Sequence, residues 1–235
     1  MTEKYNQIIA GHYSAFRPAL HEIILEHVLT KNESFQKGLD VGCGTGYSAK
    51  ALTKYCSHVY GIDPSKSMLE EATKNAKITY LQGSGKDLPV SDGSVDIVTF
   101  AGSLFYANSP SLVKELRRVC HKQTIIIPYD FEILFNDFLH KFDIDIIKSV
   151  SNYNHKINFS DNDNFTEIIA CNEKTIIKVT ANELAHVLLS SSYLYDLFVE
   201  KFSVSDPFNM LVNKLENKQH YLEVNLYYSK YIINK

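Results

Sequence analysis

Short apolar runs alternate with segments of helical periodicity over the first 130 residues, and this alternation constrains the fold more than any other feature of the sequence. Each run is apolar throughout rather than at every second position, as expected for strands that are buried on both faces. There are five such runs: Gly38–Val41, His58–Ile62, Ile78–Leu81, Val95–Ala101 and Thr124–Ile127. Strands of this kind, separated by helices, predict a parallel sheet that is covered by helices on both faces.

The pattern changes after residue 130. Phe131–Ile147 predicts a helix that carries four phenylalanines, and Ala181–Phe202 predicts a further helical segment. Phe165–Thr180 predicts two strands joined by a turn, whereas Leu222–Tyr228 alternates strictly and predicts an antiparallel strand. The predicted fold class is therefore α/β, a Rossmann-like, doubly wound and mostly parallel sheet with an antiparallel edge strand and a helical cap.

The same pattern predicts the domain organisation. We expect one domain of residues 1–235, in which a core of about 34–130 is completed by strands of about 165–180 and 221–232. The cap is expected to comprise about 131–160 and 181–218. Its phenylalanines fit internal packing, the wall of an apolar pocket or a dimer face, so the oligomeric state stays open.

Composition narrows the classes of function. Of the 235 residues, 45% are hydrophobic and 22% charged, and the formal net charge is −3. This balance, without a cluster of Lys and Arg, argues against a surface that binds nucleic acid. The sequence contains no signal-peptide apolar region in residues 1–10, no run of membrane-spanning length and no cysteine pair at metal-ligand spacing. We therefore expect a cytoplasmic protein without a metal site and without membrane association.

A glycine-rich stretch, GLDVGCGTGY at residues 38–47, begins in the first predicted strand and continues beyond it. Ligands of open parallel sheets bind beyond the carboxyl ends of the strands, which is where these glycines lie. Glycine permits positive φ and lets a ligand approach the backbone closely. The spacing is GxGxG rather than the GxGxxG of dinucleotide-binding loops. Asp40 lies two residues before the first of these glycines, and a carboxylate there suits a cationic ligand better than a pyrophosphate.

The stretches LDVGCGTG (39–46) and VYGIDPS (59–65) together resemble the first two motifs of class I S-adenosylmethionine (SAM)-dependent methyltransferases. The resemblance extends to QGSGKDLP (82–89), DGSVD (92–96) and TFAGSLFY (99–106). YSAFRP (13–18) resembles a small-molecule subgroup that includes trans-aconitate methyltransferase-like proteins. The resemblance implies SAM as the cofactor and S-adenosylhomocysteine (SAH) as its product.

The resemblance also implies which residues bind the cofactor. Asp63 matches the acid that chelates the ribose hydroxyls, and Ser84 falls where the family has an acid that reads the adenine. Ala101 and Ser103 match the segment that passes under the methionine part of SAM. The full predicted set is Tyr13, Arg17, Asp40, Gly42, Cys43, Gly44, Gly46, Asp63, Pro64, Met68, Ser84, Gly85, Ala101 and Ser103.

The catalytic residues are less well defined by the sequence. Methyl transfer mainly requires that donor and acceptor are aligned and water is excluded. A base is needed only where the acceptor is a hydroxyl, a thiol or a protonated amine. His12, Tyr106, Asp130 and His155 are the candidates, and no motif selects among them.

Our first hypothesis is a SAM-dependent methyltransferase that acts on a small organic molecule by in-line displacement. An RNA or protein acceptor is the alternative within this class, and the acidic net charge argues against it. A SAM- or SAH-binding protein without transferase activity is the alternative from another class, because the acid of the adenine site is absent. A nicotinamide-dependent dehydrogenase is the third hypothesis, and the glycine spacing argues against it.

Overall fold

The computed structural model describes residues 3–144, 152–216 and 218–234. The chain forms two compact units. The first, here called the sheet unit, comprises Leu20–Glu132, Ser151–Glu173 and Leu226–Lys235. The second, here called the helical unit, comprises Met1–Ala19, Ile133–Val150 and Lys174–Asn225.

The secondary structure follows the alternation of the sequence in the first part of the chain. The strands are β1 (Phe35–Val41), β2 (Cys56–Asp63), β3 (Ile78–Gln82), β4 (Val95–Ala101), β5 (Cys120–Leu134), β6 (Phe165–Thr180) and β7 (Gln219–Ile233). The helices are α1 (Glu3–Ala15), α2 (Leu20–Val28), α3 (Tyr47–Leu52), α4 (Lys66–Glu70), α5 (Leu104–Ala107), α6 (Pro110–Val119), α7 (Asn136–His140), α8 (Ala181–Leu189), α9 (Ser192–Phe202) and α10 (Phe208–Lys214).

The strands form one sheet in the order β3-β2-β1-β4-β5-β7-β6. The pairings from β3 to β5 are parallel, and the edge beyond β5 is antiparallel. β1 lies between β2 and β4, with Asp40 opposite Gly61 on one side and Thr99 on the other. The strand order therefore reverses at β1, and in open parallel sheets such a reversal opens a crevice for a ligand at the carboxyl ends of the strands.

The core of the sheet unit is an apolar cluster between the sheet and its helices. Its members include Leu39, Val98 and Ile126 from the strands, each with no exposed surface. On α6 the buried residues Leu112, Leu116 and Val119 recur at helical spacing and pack into the same cluster. The helix begins as the sequence predicts, because the Ser109 hydroxyl accepts a hydrogen bond from the Leu112 N–H and Pro110 occupies the first turn.

The helical unit has its own apolar cluster. It is built mainly from α8 and α9, with Leu184, Leu188 and Phe198 completely buried. Phe138 and Phe142 also belong to it, and each is no more than 7% exposed. These two phenylalanines of the predicted aromatic stripe therefore contribute to packing.

The predicted fold class is confirmed, but some local predictions are wrong. Phe165–Thr180 is one continuous strand rather than two strands and a turn. Phe131–Ile147 is not one helix, because β5 continues to Leu134 and α7 is only five residues long. Residues 145–147 of that predicted helix lie outside the described residues. The predicted helix Ala181–Phe202 is divided into α8 and α9, since Ser191 caps the start of a new helix. The predicted division into one core and one cap stays a prediction.

One carboxylate lies completely buried in the sheet. Asp40 has no exposed surface and accepts hydrogen bonds from the hydroxyls of Ser48 (2.5 Å) and Thr99 (2.8 Å). Burial raises its pKa from the ordinary 3.8 to about 6, and repulsion from Asp63 acts in the same direction. The two hydrogen bonds oppose this shift because they stabilise the charged form. The sheet therefore contains an acid whose ionisation is costly.

The packing of α6 leads to a first prediction. Leu116→Ala should lower the free energy of unfolding by about 2–5 kcal/mol, because it removes a fully buried side chain and leaves a cavity. Lys114→Ala on the exposed side of the same helix should change it by no more than about 0.5 kcal/mol. Urea denaturation followed by circular dichroism measures both values. Equal effects of the two substitutions would contradict the placement of α6.

The buried Asp40 leads to a second prediction. The pKa of Asp40 is higher in the folded protein than in the unfolded chain, so protonated Asp40 favours the folded state. This contribution to the free energy of unfolding is complete below about pH 4 and is lost as the pH rises through about 6. In Asp40→Asn the side chain stays neutral and this dependence should disappear. The stability of the wild type relative to the variant should therefore fall by on the order of 3 kcal/mol over that range. Urea denaturation of both proteins between pH 4 and 7.5 tests this, and a pH-independent difference would contradict it.

Candidate functional site: the glycine loop and its cavity

The loop between β1 and α3 needs its glycines. Gly42, Gly44 and Gly46 have φ values of 75°, 52° and 82°, a region that costs other residues about 1–2 kcal/mol each. A Cβ atom at Gly42 would collide with the side chain of Ser103, and one at Gly46 with the ring of Tyr80. The glycines therefore allow the turn, and they also let Ser103, which follows β4, and the Tyr80 ring of β3 pack closely against the loop.

Hydrogen bonds hold this loop against the end of β2. The N–H groups of Gly42 and Cys43 both donate to the carbonyl of Ile62, at 2.7 and 3.0 Å. The Gly44 N–H donates to Oδ2 of Asp63 at 2.9 Å, and the Ser65 N–H donates to Oδ1 at 2.8 Å. Each carboxylate oxygen of Asp63 therefore keeps acceptor capacity for a further donor.

A cavity of about 390 Å³ opens at the carboxyl ends of β1, β2 and β4. Its volume lies in the range of small-molecule and cofactor sites. The lining residues are Val41, Gly42, Asp63, Pro64, Ser84, Gly85, Lys86, Ala101, Gly102, Ser103, Tyr106 and Ala107. The cavity therefore lies where the reversal of the strand order predicts a ligand.

The structure brings seven of the predicted cofactor-binding residues together around this cavity: Gly42, Asp63, Pro64, Ser84, Gly85, Ala101 and Ser103. The hydroxyl of Ser103 donates to the carbonyl of Val41, and the hydroxyl of Ser84 accepts the N–H of Lys86 at 3.3 Å. Both serines therefore also stabilise turns of the cavity wall.

The other predicted cofactor-binding residues are not among its lining residues. Asp40 is buried in the sheet, and Cys43 is 5% exposed with its thiol directed to the carbonyl of Gly44. Gly44 and Gly46 shape the loop, and Met68 is 48% exposed on α4. Tyr13 and Arg17 belong to the helical unit, where the guanidinium carbon of Arg17 lies 3.5 Å from the centroid of the Tyr13 ring. Their part in cofactor binding stays a prediction.

Two of the predicted catalytic candidates form a pair, in which Asp130 lies against Gly102 of the cavity wall. His155 Nδ1 lies 2.8 Å from Oδ2 of Asp130, an oxygen that is also 2.8 Å from the hydroxyl of Tyr153. The Tyr153 hydroxyl is 2.7 Å from the carbonyl oxygen of Gly102, which lines the cavity. This contact connects the end of β5 to the wall of the cavity.

The other two candidates are not part of this pair. Tyr106 lines the cavity itself and is 78% exposed. His12 belongs to the helical unit, where its ring stacks on Phe208 and its Nδ1 lies 3.0 Å from Nδ1 of His186. Burial and the neighbouring His186 lower the pKa of His12.

Sequence reasoning missed four lining residues of the cavity, Val41, Lys86, Gly102 and Ala107, and also Tyr153, which contacts Gly102. Val41, Lys86 and Gly102 lie within stretches that carry the family resemblance and could have been found there. Tyr153 lies in a segment without periodicity or motif, so no local signal indicates it.

Among the described residues, no group of three or more His, Cys, Asp and Glu side chains is arranged to hold a metal ion. Within the same residues, none of the helices has the length and apolar character that crossing a membrane requires.

Residues 39–127 match the family described as a methyltransferase domain. A Dictyostelium discoideum protein assigned as a methyltransferase is 28% identical over 130 residues, which are 54% of this chain and 48% of that relative. A Saccharomyces cerevisiae protein named a probable S-adenosylmethionine-dependent methyltransferase is 27% identical over 219 residues, 89% of this chain and 72% of that relative. The chain therefore spans about half the length of the first relative and nearly three quarters of the second.

Solved structures share the fold at low sequence identity. A protein from Anaeromyxobacter dehalogenans assigned as a type II methyltransferase has a TM-score of 0.64 at 15% identity, and the match covers 92% of this chain and 96% of its own. The YcgJ protein of Bacillus subtilis has a TM-score of 0.52 at 16% identity, and the match covers 93% and 100%. Residues 39–127 are therefore similar in sequence to methyltransferase domains, and the chain shares the fold of solved methyltransferase structures.

Proposed function

We propose that this protein transfers the methyl group of SAM to a small organic molecule. The observation that carries the proposal is the cavity lined by Gly42, Asp63 and Gly102 at the carboxyl ends of β1, β2 and β4. SAM supplies a methyl group that its sulfonium activates for displacement, and the product is SAH. The chain has to bind SAM, orient the acceptor and accept a proton where the acceptor carries one.

The residues of the cavity fit SAM. A Cβ atom at Gly42 would collide with Ser103, so glycine is needed here for the loop and the end of β4 to form the cavity wall together. Asp63 reaches the cavity with unused acceptor capacity on both oxygens, which suits a ribose diol that offers two hydroxyl donors. Ser84 and Gly85 lie on the same wall and are proposed to contact the adenine.

Charge also favours SAM over a dinucleotide. Asp63 lines the cavity, and Asp40 lies behind the glycine loop, close enough that the two carboxylates repel each other. Negative charge on this side of the loop attracts a ligand that carries a sulfonium and an ammonium and repels a pyrophosphate. Tyr13 and Arg17 are retained as cofactor contacts on the basis of the family resemblance alone.

We propose that His155, oriented by Asp130, accepts the proton that the methyl acceptor releases. Because Nδ1 of His155 faces the carboxylate, Asp130 fixes the ring so that Nε2 is the nitrogen with a lone pair. A histidine oriented by a carboxylate in this way is a common general base. His12 instead contacts His186 and stacks on Phe208 within the helical unit, and Tyr106 lines the cavity with an exposed ring.

A small acceptor is favoured over a macromolecular one. The net charge of −3 does not favour the approach of RNA. The non-catalytic alternative, a protein that binds SAM or SAH without turnover, is separated from this proposal by experiment. Binding of SAH without methyl transfer to any member of a broad acceptor panel would identify such a protein.

The assignment of Asp63 leads to a third prediction. Asp63→Ala should weaken the binding of SAM and SAH by about tenfold to hundredfold, because two charge-assisted hydrogen bonds are lost. Asp63→Asn, which keeps the shape of the side chain, should also weaken binding. Asp161→Ala, which removes an exposed carboxylate outside the cavity, should bind normally. Isothermal titration calorimetry measures these affinities. Normal binding by both Asp63 variants would contradict the ribose assignment, and absence of binding by the wild type would contradict the proposed function.

The Asp130–His155 pair leads to a fourth prediction. His155→Gln should lower kcat by about 10²- to 10⁴-fold without changing the affinity for SAH, because it removes only the base. Transfer of labelled methyl groups to a panel of phenols, amines and carboxylic acids measures the rate.

A matched control exists at the opposite ends of β4 and β5. His121 Nε2 lies 3.0 Å from Oδ1 of Asp96, so another histidine–carboxylate pair lies at the amino ends of β4 and β5, away from the cavity at the carboxyl ends. His121→Gln should leave kcat unchanged. Equal rates in the His155 and His121 variants would exclude His155 as the base.

A further inference from the structure

We propose that the methyl acceptor is a planar aromatic molecule that binds against an aromatic cluster formed by Phe105, Tyr106 and Tyr153. This inference rests on the proposed function and names the substrate class of the same site. Three observations support it: the three rings lie close together, Tyr106 is exposed, and hydrogen bonds hold Tyr153 in place.

The three rings lie close together at the edge of the cavity. The centroid of the Phe105 ring is 5.4 Å from that of Tyr106 and 4.9 Å from that of Tyr153, and the two tyrosine rings are 5.8 Å apart. These separations are typical of interacting aromatic side chains. Tyr106 is the member that lines the cavity. The cluster therefore extends the cavity wall with an aromatic surface.

The exposure of Tyr106 distinguishes this cluster from ordinary packing. Its side chain is 78% exposed, the highest value among the large apolar residues that the structure describes as exposed. The short helix α5 holds it there, because the neighbouring Leu104 is only 2% exposed and anchors the helix in the core. An aromatic ring held in contact with water beside a ligand cavity gains from contact with an apolar, planar partner.

The ring of Tyr153 is held in place by polar contacts. Its hydroxyl lies 2.7 Å from the carbonyl oxygen of Gly102 and 2.8 Å from Oδ2 of Asp130. Burial, followed by the nearby Asp130 carboxylate, raises the pKa of Tyr153, so the phenol keeps its proton and acts as a donor. A rigid aromatic surface loses little conformational entropy when a ligand binds.

The proposed general base, His155, lies next to the aromatic cluster. The centroid of the His155 ring is 4.8 Å from that of Tyr153, with an interplanar angle of 79°, and the His155 ring also stacks on Tyr227 with the centroids 5.7 Å apart. Aromatic rings therefore continue from the cavity to the proposed base. A phenol matches both the aromatic cluster and the base, because its ring can pack against the cluster and its hydroxyl can give a proton to His155. A phenol ionises near pH 10 and therefore loses its proton to a base more readily than water does.

The absence of tryptophan from the sequence makes a direct binding experiment possible. 2-Naphthol fluoresces when excited at wavelengths where tyrosine absorbs little, so its binding to the SAH-saturated protein can be followed without turnover. We expect 2-naphthol to bind the wild type at least tenfold more tightly than decahydro-2-naphthol, the saturated analogue, whose affinity is measured by displacement.

Variants of Tyr106 locate the binding site. Tyr106→Ala should weaken 2-naphthol binding about tenfold or more, whereas Tyr106→Phe should stay within about twofold of the wild type. Tyr221→Ala removes another exposed tyrosine, outside the cluster, and should have no effect. The affinity for SAH should be the same in all four proteins.

Three outcomes would overturn the inference: no binding of 2-naphthol to the SAH-saturated wild type, equal affinities for the aromatic and saturated ligands, or an equal loss of SAH and 2-naphthol affinity in Tyr106→Ala. The last outcome would assign Tyr106 to the cofactor. In each of them SAH still binds the wild type, so the proposed function stands. Failure of the wild type to bind SAH would instead contradict the proposed function itself.

Discussion

The arrangement of the site depends on the hydrogen bonds between the glycine loop and the end of β2. Two consecutive N–H groups, of Gly42 and Cys43, share the carbonyl of Ile62, and the next glycine donates to Asp63. These bonds require positive φ at Gly42, which also allows Ser103 at the end of β4 to approach the loop. Three strand ends are thereby fixed around one cavity before any ligand binds.

The electrostatics of the site follow from the same arrangement. Asp40 is buried because β1 is the central strand of the parallel part of the sheet, and its hydrogen bonds to Ser48 and Thr99 do not fully compensate for the loss of water. Asp63, one strand away, remains at the cavity and interacts with backbone N–H groups. The sheet thus contains one acid that is costly to ionise and presents another to the ligand.

Most of the sheet could be predicted from the sequence, because apolar runs and helical periodicity are local signals. The errors occur where a long-range contact outweighs the local pattern. Phe165–Thr180 is one strand since pairing within the sheet overrides a local turn preference. In Phe131–Leu134 the phenylalanine spacing suggests a helix, yet these residues extend β5. Periodicity over four residues cannot separate these two outcomes.

The sequence by itself determined the glycine loop, the two acids Asp40 and Asp63, and the resemblance to methyltransferases, because each of these is encoded within a few consecutive residues. Only the tertiary structure decided which other side chains join the site. Tyr153 is 51 residues from Gly102 and 23 from Asp130, yet its hydroxyl contacts both. Such contacts are set by how β4 and β5 align in the sheet and by where the following segment packs, and no local pattern of residues encodes them.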